Sequence, residues 1–138
     1  MYTYIHKVKY YETDKMGITH HSNYIRFMEE ARIEWMEKIG FSYKKCEEIG
    51  LISPVLSVKC DYKKNSTFDD IINIEVKLKE YNGLKLKFEY VMKKDSEIIA
   101  TGETEHCFIN KNGIPIRIKK DYSELNEILN KELNKNTI

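Results

Sequence analysis

Between Pro54 and Ile109 apolar and polar residues alternate in successive short segments, and this pattern confines the chain to folds built on an antiparallel sheet. Leu56, Val58, Cys60 and Tyr62 face one way, with Ser57, Lys59, Asp61 and Lys63 between them. Ile72, Ile74, Val76 and Leu78 repeat the pattern. Asn82-Gly83 supplies a tight hairpin turn, and Leu84, Leu86, Phe88, Tyr90 and Met92 answer from the returning strand. Lys94-Asp95-Ser96 turns the chain into a further strand over Ile98 to Ile109, which Asn112-Gly113 ends. Residues 2 to 10 alternate as well, with Tyr2, Tyr4, His6, Val8 and Tyr10 on one side. A period of two is the mark of half-buried strands. Four or five of them joined by short turns form an antiparallel sheet with one wet face.

One segment breaks this rule. From about Asn23 to Ile39 the apolar residues Tyr24, Phe27, Met28, Ala31, Trp35 and Ile39 recur at helical spacing, and Gly40 stands where a helix C-cap takes a left-handed residue. Phe41 to Gly50 allows a shorter helical piece. Asp121 with Glu124 resembles a capping box for a last helix over about 121–133, which puts Leu125, Ile128, Leu129 and Leu133 on one face. Residues 134–138 are expected to fray. One long striped helix is available to cover the dry face of the sheet, so the expected class is α+β, in one domain spanning residues 1–138.

The 138 residues carry 41% apolar side chains, enough for one core. With 23 basic and 22 acidic groups the net charge is +1, which gives no reason to expect nucleic acid or an anionic membrane as partner. Cys46, Cys60 and Cys107 are odd in number and lack metal-ligand spacing, so free thiols in a reducing compartment are expected and a zinc site is not. No charged-then-apolar leader and no spanning apolar run is present. A soluble, cytoplasmic protein with no membrane span is the expectation.

Chemistry concentrates just before the long helix, in Tyr11-Glu12-Thr13-Asp14-Lys15-Met16-Gly17-Ile18-Thr19-His20-His21-Ser22-Asn23-Tyr24. A helix N-terminus presents unpaired N–H groups and positive partial charge, which can hold a carboxylate ionised and polarise a carbonyl oxygen. On composition alone, Asp or Ser at such a place is more often a cap or a solvated turn.

The segment resembles the signature of the 4-hydroxybenzoyl-CoA thioesterase family, hotdog-fold proteins. The likeness is greatest to its tol-pal-associated acyl-CoA thioesterases. Tyr10, Glu12, Thr13, Asp14, Gly17, Ile18, His21, Asn23 and Tyr24 match the pattern, followed by Phe27, Glu29, Ala31, Arg32, Glu34 and Trp35. The stretches Asp61-Tyr62 to Asp70-Ile72 and Cys107-Phe108-Ile109 before Gly113-Ile114-Pro115 extend the likeness over about residues 3 to 118. The resemblance implies a sheet wrapped around a central helix, and a homodimer or homotetramer with sites between subunits. It implies hydrolysis of an acyl-CoA thioester without a cofactor other than the coenzyme A of the substrate. Asp14 falls on the family's catalytic aspartate, as nucleophile or general base, and the His21 N–H falls where the thioester carbonyl is polarised. Thr13, Gly17, Asn23 and Tyr24 are assigned to substrate binding; Lys63, Lys64 and Arg117 lie near strand ends where the coenzyme A phosphates could dock, although among 23 basic residues each by itself reads rather as plain surface. Met16 and His20 depart from the frequent residues at their positions, which bears on the acyl pocket's shape.

A thiolate leaves readily near neutral pH, so one carboxylate with carbonyl-polarising donors suffices. Glu29 is the rival base, although three-residue spacing also suits a surface ion pair with Arg32. The adjacent His20 and His21 lack the spacing of metal ligands. His6 and His106 read as satisfied core histidines, and Tyr2, Tyr4, Tyr10, Tyr62 and Tyr90 as sheet packing. Two alternatives stay open. A hotdog enoyl-CoA hydratase would need a G-D-x-N-P-x-x-H motif, which is absent, and a non-catalytic acyl-CoA sensor would act through protein contacts alone.

Overall fold

A computed structural model describes residues 1–136. Its strands are β1 (Tyr2–Lys7), β2 (Val55–Tyr62), β3 (Ile71–Tyr81), β4 (Lys85–Lys94) and β5 (Glu97–Cys107). The helices are α1 (Ser22–Lys38), α2 (Tyr43–Glu48), α3 (Ile118–Asp121) and α4 (Ser123–Lys135). All five strands form one antiparallel sheet in the order β1-β3-β4-β5-β2. The alternation becomes a buried face: Ile72, Ile74, Val76 and Leu78 of β3, and Leu86, Phe88, Tyr90 and Met92 of β4, all point inward. Onto it α1 lays the stripe Tyr24, Phe27, Met28, Ala31 and Trp35, each nearly free of solvent contact. Burying such side chains contributes roughly 1.5–3 kcal/mol apiece. The result is the α+β hotdog arrangement, a sheet wrapped around a long helix.

How closely α1 approaches is set by β5. A Cβ on Gly102 would stand 2.5 Å from Met28 Sδ and 3.0 Å from the Lys59 carbonyl oxygen. Any side chain there would push the helix off the sheet. On the opposite, wet face, charges pair across strands, as in Lys93–Glu75 and Lys77–Glu89, contacts worth little individually.

Several sequence expectations change at the margins. Tyr10 does not continue β1; it opens a single 3-10 turn, Tyr10–Glu12, and is exposed. Asp121 caps no helix: it ends the short α3, and α4 begins after Tyr122 with no side-chain cap. The helix runs on through Lys135, and Asn136 Nδ2 donates to the Leu78 and Glu132 carbonyls. The expected frayed tail also included Thr137 and Ile138, which lie outside the described residues. The apolar row of β2 is not buried: Leu56, Val58 and Tyr62 are exposed and Cys60 is half-buried. β2 is an edge strand paired only with β5, and α1 meets it chiefly through Tyr24 on Tyr62, which leaves most of the row uncovered.

The inner face of β5 carries His106, 1% exposed, with Nε2 on Thr104 Oγ1 at 2.7 Å. Its Nδ1 has no partner among the described residues, so this core histidine is not fully satisfied there. Burial, reinforced by the Arg32 charge, pushes its pKa down from 6.5 to about 3. Between those values the unfolded chain takes up a proton that the folded one refuses, so folding stability falls as pH drops through that window. Acid unfolding followed by circular dichroism should show a steeper loss from pH 6.5 to 4 in the wild type than in His106→Gln. Equal slopes would mean that His106 does not contribute.

Candidate active site

The segment between β1 and α1 is held at several points before any functional group is considered. Glu12, 5% exposed, accepts from the Lys9 N–H at 2.7 Å and meets His6 Nε2 at 2.8 Å, both through Oε1. His6 Nδ1 lies 3.4 Å from Glu30 of α1. The Glu12 carbonyl takes the His20 N–H and Asn23 Nδ2, each at 2.8 Å. Glu12 therefore joins β1, the loop and the start of α1. Removing His6 would strand a buried carboxylate, a change that typically costs about 3–5 kcal/mol.

A second tie comes from the loop between β2 and β3. Ser66, 2% exposed, bonds Thr19 Oγ1 at 2.7 Å and Tyr24 Oη at 2.8 Å, and its carbonyl accepts the Thr19 N–H. Thr67 Oγ1 donates to the Gly17 carbonyl at 2.7 Å.

Between these ties Asp14 to Gly17 make a tight turn. Asp14 N–H donates to Ile18 O, Gly17 N–H to Asp14 O, and Thr13 bridges Thr19. Gly17 closes the turn at φ 79, a conformation L side chains rarely adopt. The half-buried Asp14 carboxylate accepts the Met16 N–H through Oδ1 at 2.8 Å. That bond fixes its rotamer and leaves Oδ2 without a protein donor among the described residues.

His21 is the N-cap residue of α1, and its side chain makes no capping bond. Its N–H meets no acceptor among the described residues, whereas the neighbouring N–H groups of His20, Ser22, Asn23 and Tyr24 are all engaged. The His21 carbonyl accepts from Tyr62 Oη at 3.0 Å, and the Tyr62 ring stands edge-on to His21 and Tyr24. Burial, with Cys60 beside it, pushes the Tyr62 hydroxyl up to about 12, so it remains a donor. A fixed carboxylate and an available N–H at the positive end of a 17-residue helix thus share one braced loop.

Not every residue singled out from the sequence points into this site. Thr13 Oγ1 donates to the Tyr10 carbonyl, Asn23 Nδ2 to Glu12, and Tyr24 is buried on Ser66, so these polar groups hold the loop together. Lys63 and Lys64 are exposed at the end of β2, both N–H groups on the Ile99 carbonyl, with Lys64 Nζ 2.9 Å from Glu97. Arg117 is remote: the adjacent Ile118 N–H bonds Gly83, beyond the far end of β3. An 11-residue strand spans roughly 35 Å. Glu29 is exposed, and its expected surface pair with Arg32 does not form. Arg32 is 6% exposed and turns inward to Tyr43 and Tyr90. Tyr62 and Ser66 are the participants missed from sequence. Alternation placed Tyr62 on a packing face, and nothing about a lone serine between strands indicates what it will meet.

The thioesterase-like superfamily model matches residues 8–127. A protein of Aquifex aeolicus provisionally named an esterase is 38% identical over 124 residues, which cover 90% of this chain and 96% of that protein. One of Bacillus subtilis, provisionally named acyl-CoA thioesterase YneP, is 30% identical over 120 residues, 86% of this chain and 87% of the relative. The solved structure of a DHNA-CoA thioesterase from Staphylococcus aureus superposes with a TM-score of 0.90 at 31% identity, covering 94% of this chain and 88% of that one. A match over most of the chain, at such identities and with the same helix and sheet, leaves one assignment: this chain belongs to the thioesterase-like superfamily of hotdog proteins.

Proposed function

We propose that this protein hydrolyses acyl-CoA thioesters to the free acid and coenzyme A, with Asp14 as the catalytic carboxylate. The observation that carries the reading is the pairing, on one braced loop, of the Asp14 carboxylate with the unengaged His21 N–H. The substrate carbonyl oxygen docks on that N–H, so charge developing there meets a donor already in place. Asp14 then adds to the carbonyl carbon, expelling coenzyme A thiolate and leaving an acyl anhydride for water to open, or it takes a proton from the attacking water. Either way the thiolate departs without a strong acid, because a thiol ionises near pH 8.5, approximately. Tyr62 acts as a positioning residue by fixing the peptide after His21. Thr13, Gly17, Asn23 and Tyr24 contribute through the loop shape they impose. The His21 ring, packed against His20, flanks the docking point.

Residues 1–138 act as one such domain, and the tol-pal-associated subgroup fits the extended motif around Asp14 and α1. The enzyme works in the cytoplasm; its described residues contain no helix long and apolar enough to cross a membrane. Lys63 and Lys64, beside the Ser66-Thr67 loop, are placed for the coenzyme A phosphates, while Arg117 could serve only a site that a second copy brings to it. A homodimer or larger homo-oligomer is supported by β2, whose hydrogen-bonding edge is open and whose Val55, Leu56, Val58 and Tyr62 are exposed. An open apolar edge is a liability unless covered.

Three outcomes test this reading. Asp14→Asn keeps the shape of the turn and removes the charge. On the best substrate of an acyl-CoA panel, with released thiol followed, kcat should fall by roughly 10²–10⁴, while Glu29→Gln changes it little. An Asn variant retaining more than about a tenth of wild-type turnover would transfer the role to Glu29, and a panel with no turnover at all would favour an acyl-CoA sensor. Raising ionic strength should increase KM for the coenzyme A ester and leave kcat nearly constant; an acyl-pantetheine, which carries no phosphate, should show no such salt dependence. In sedimentation the wild type should run as a dimer or larger, and Val58→Asp, which buries a charge at the proposed seam, should shift it to monomer with reduced activity. A wild-type monomer of full activity would refute the shared site.

A further inference from the structure

Away from Asp14, the second half of α1 walls a cavity of about 170 Å³, closed by α2 and by the inner faces of β4 and β5. Its sides are apolar: Met36, Leu51, Leu86, Phe88 and Phe108. Cys46 also lines it, with a thiol that burial pushes up to about 11 and keeps neutral. The exposed Glu47 and Ile52 and the half-buried Ser53 belong to its rim. The inner end is different, because Arg32 and His106 both face it.

Arg32 is nine-tenths buried, yet its only protein partners are hydroxyls: Nε donates to Tyr43 Oη at 2.9 Å and Nη1 to Tyr90 Oη at 3.1 Å. No carboxylate pairs with it among the described residues. A buried cation without a counter-ion is unusual, since desolvating it is expensive unless something negative answers it. Arginine only donates, so Tyr90 Oη accepts there, and a polar chain continues from it to Thr104 Oγ1 at 2.7 Å and on to His106 Nε2, also at 2.7 Å. The cavity wall thus includes a positive charge that no carboxylate answers among the described residues.

We infer that this cavity is a binding site for a small monocarboxylate with an apolar body, its carboxylate held by Arg32 and its hydrocarbon by Met36, Leu86 and Phe108. A carboxylate supplies the missing negative charge, in the planar geometry a guanidinium matches. An apolar cavity of about 150 Å³ holds a benzene ring, so a benzoate-sized acid fits the room available. None of the loop residues around Asp14 lines this space. The inference concerns binding alone and stands or falls apart from the Asp14 reading.

Benzoate and benzyl alcohol are matched in ring and differ in charge. The test titrates each into the full chain and follows the arginine Nε–H signals by ¹H–¹⁵N NMR. The chain has three arginines, Arg26, Arg32 and Arg117, and Arg26→Lys and Arg117→Lys assign the remaining signal. Benzoate should move the Arg32 signal saturably and bind at least about tenfold more tightly than the alcohol, the usual worth of a charged hydrogen bond. Arg32→Met should abolish that preference while alcohol binding persists, and Asp14→Asn should bind benzoate as the wild type does. The acid-against-alcohol comparison uses the wild-type chain, so it decides even if Arg32→Met fails to fold. Equal affinities, a shift confined to Arg26 or Arg117, no saturable shift, or loss of benzoate binding in Asp14→Asn would each overturn the assignment.

Discussion

Glu12 is a buried carboxyl group whose Oε1 receives the Lys9 N–H and faces the His6 ring, while the residue's own carbonyl takes two further donors from the start of α1. Three elements that share no strand or helix pairing, namely β1, the Asp14 turn and the first turn of α1, are thereby referred to one residue. Local hydrogen bonds within the turn fix its shape, but they do not say where the turn sits relative to the helix. That relation is what a carboxylate and a helix-terminal N–H need if they are to act on one carbonyl group, because a displacement of about 1 Å can cost two orders of magnitude in rate. The Ser66 hydroxyl, between Thr19 and Tyr24, supplies the same restraint from the other side.

The sheet imposes a complementary constraint. α1 covers the strands it can reach, and Gly102 lets it lie close to the middle of the sheet. A helix is only about 10 Å across with its side chains, so a five-stranded sheet is wider than one helix can cover. At one margin this is solved within the chain: Tyr2 and Tyr4 of β1 reach across to Glu34 and Glu30 of α1. At the other, β2 is tied to α1 only at its end, where Tyr62 Oη donates to the His21 carbonyl, and Val55, Leu56 and Val58 remain exposed. An incomplete cover next to the chemistry is what would couple activity to assembly in this protein.

Much of this was legible in the residues. The strands and α1 fall where the change of period from two to helical spacing puts them, because apolar burial at a repeating interval is a local signal. The loop that Gly17 turns was legible from the loss of alternation, and so, within a residue, was the start of α1. What escaped was set by neighbours distant in the chain. Arg32 reads as a surface partner of Glu29 at helical spacing, but it points inward because Tyr43 and Tyr90, 11 and 58 residues away, offer it hydroxyls. The Leu56 to Tyr62 row reads as core, and only the strand order reveals that it belongs to an edge. Asp121 and Glu124 have the spacing of a capping box, yet buried Ile118, bonded to the Gly83 carbonyl, fixes the chain there and moves the helix start to Ser123.

Arg32 also separates stability from function along a single helix. Replacing a buried ion pair by packed hydrocarbon is commonly neutral or stabilising, and a buried cation with only hydroxyl neighbours has still less to recommend it as a packing solution. A methionine there would fill space beside Met36 and Phe88 without desolvating a charge. The guanidinium is thus a costly group to bury for packing alone, and the cavity beside it has the room for an acceptor. At its N-terminus α1 presents an N–H that meets no acceptor among the described residues, on the same loop as the Asp14 carboxylate; in its second half it holds a cation that no carboxylate answers among them, beside an apolar cavity. In each case the group that would answer it is an oxygen of a carbonyl compound: the thioester at one end, the carboxylate at the other.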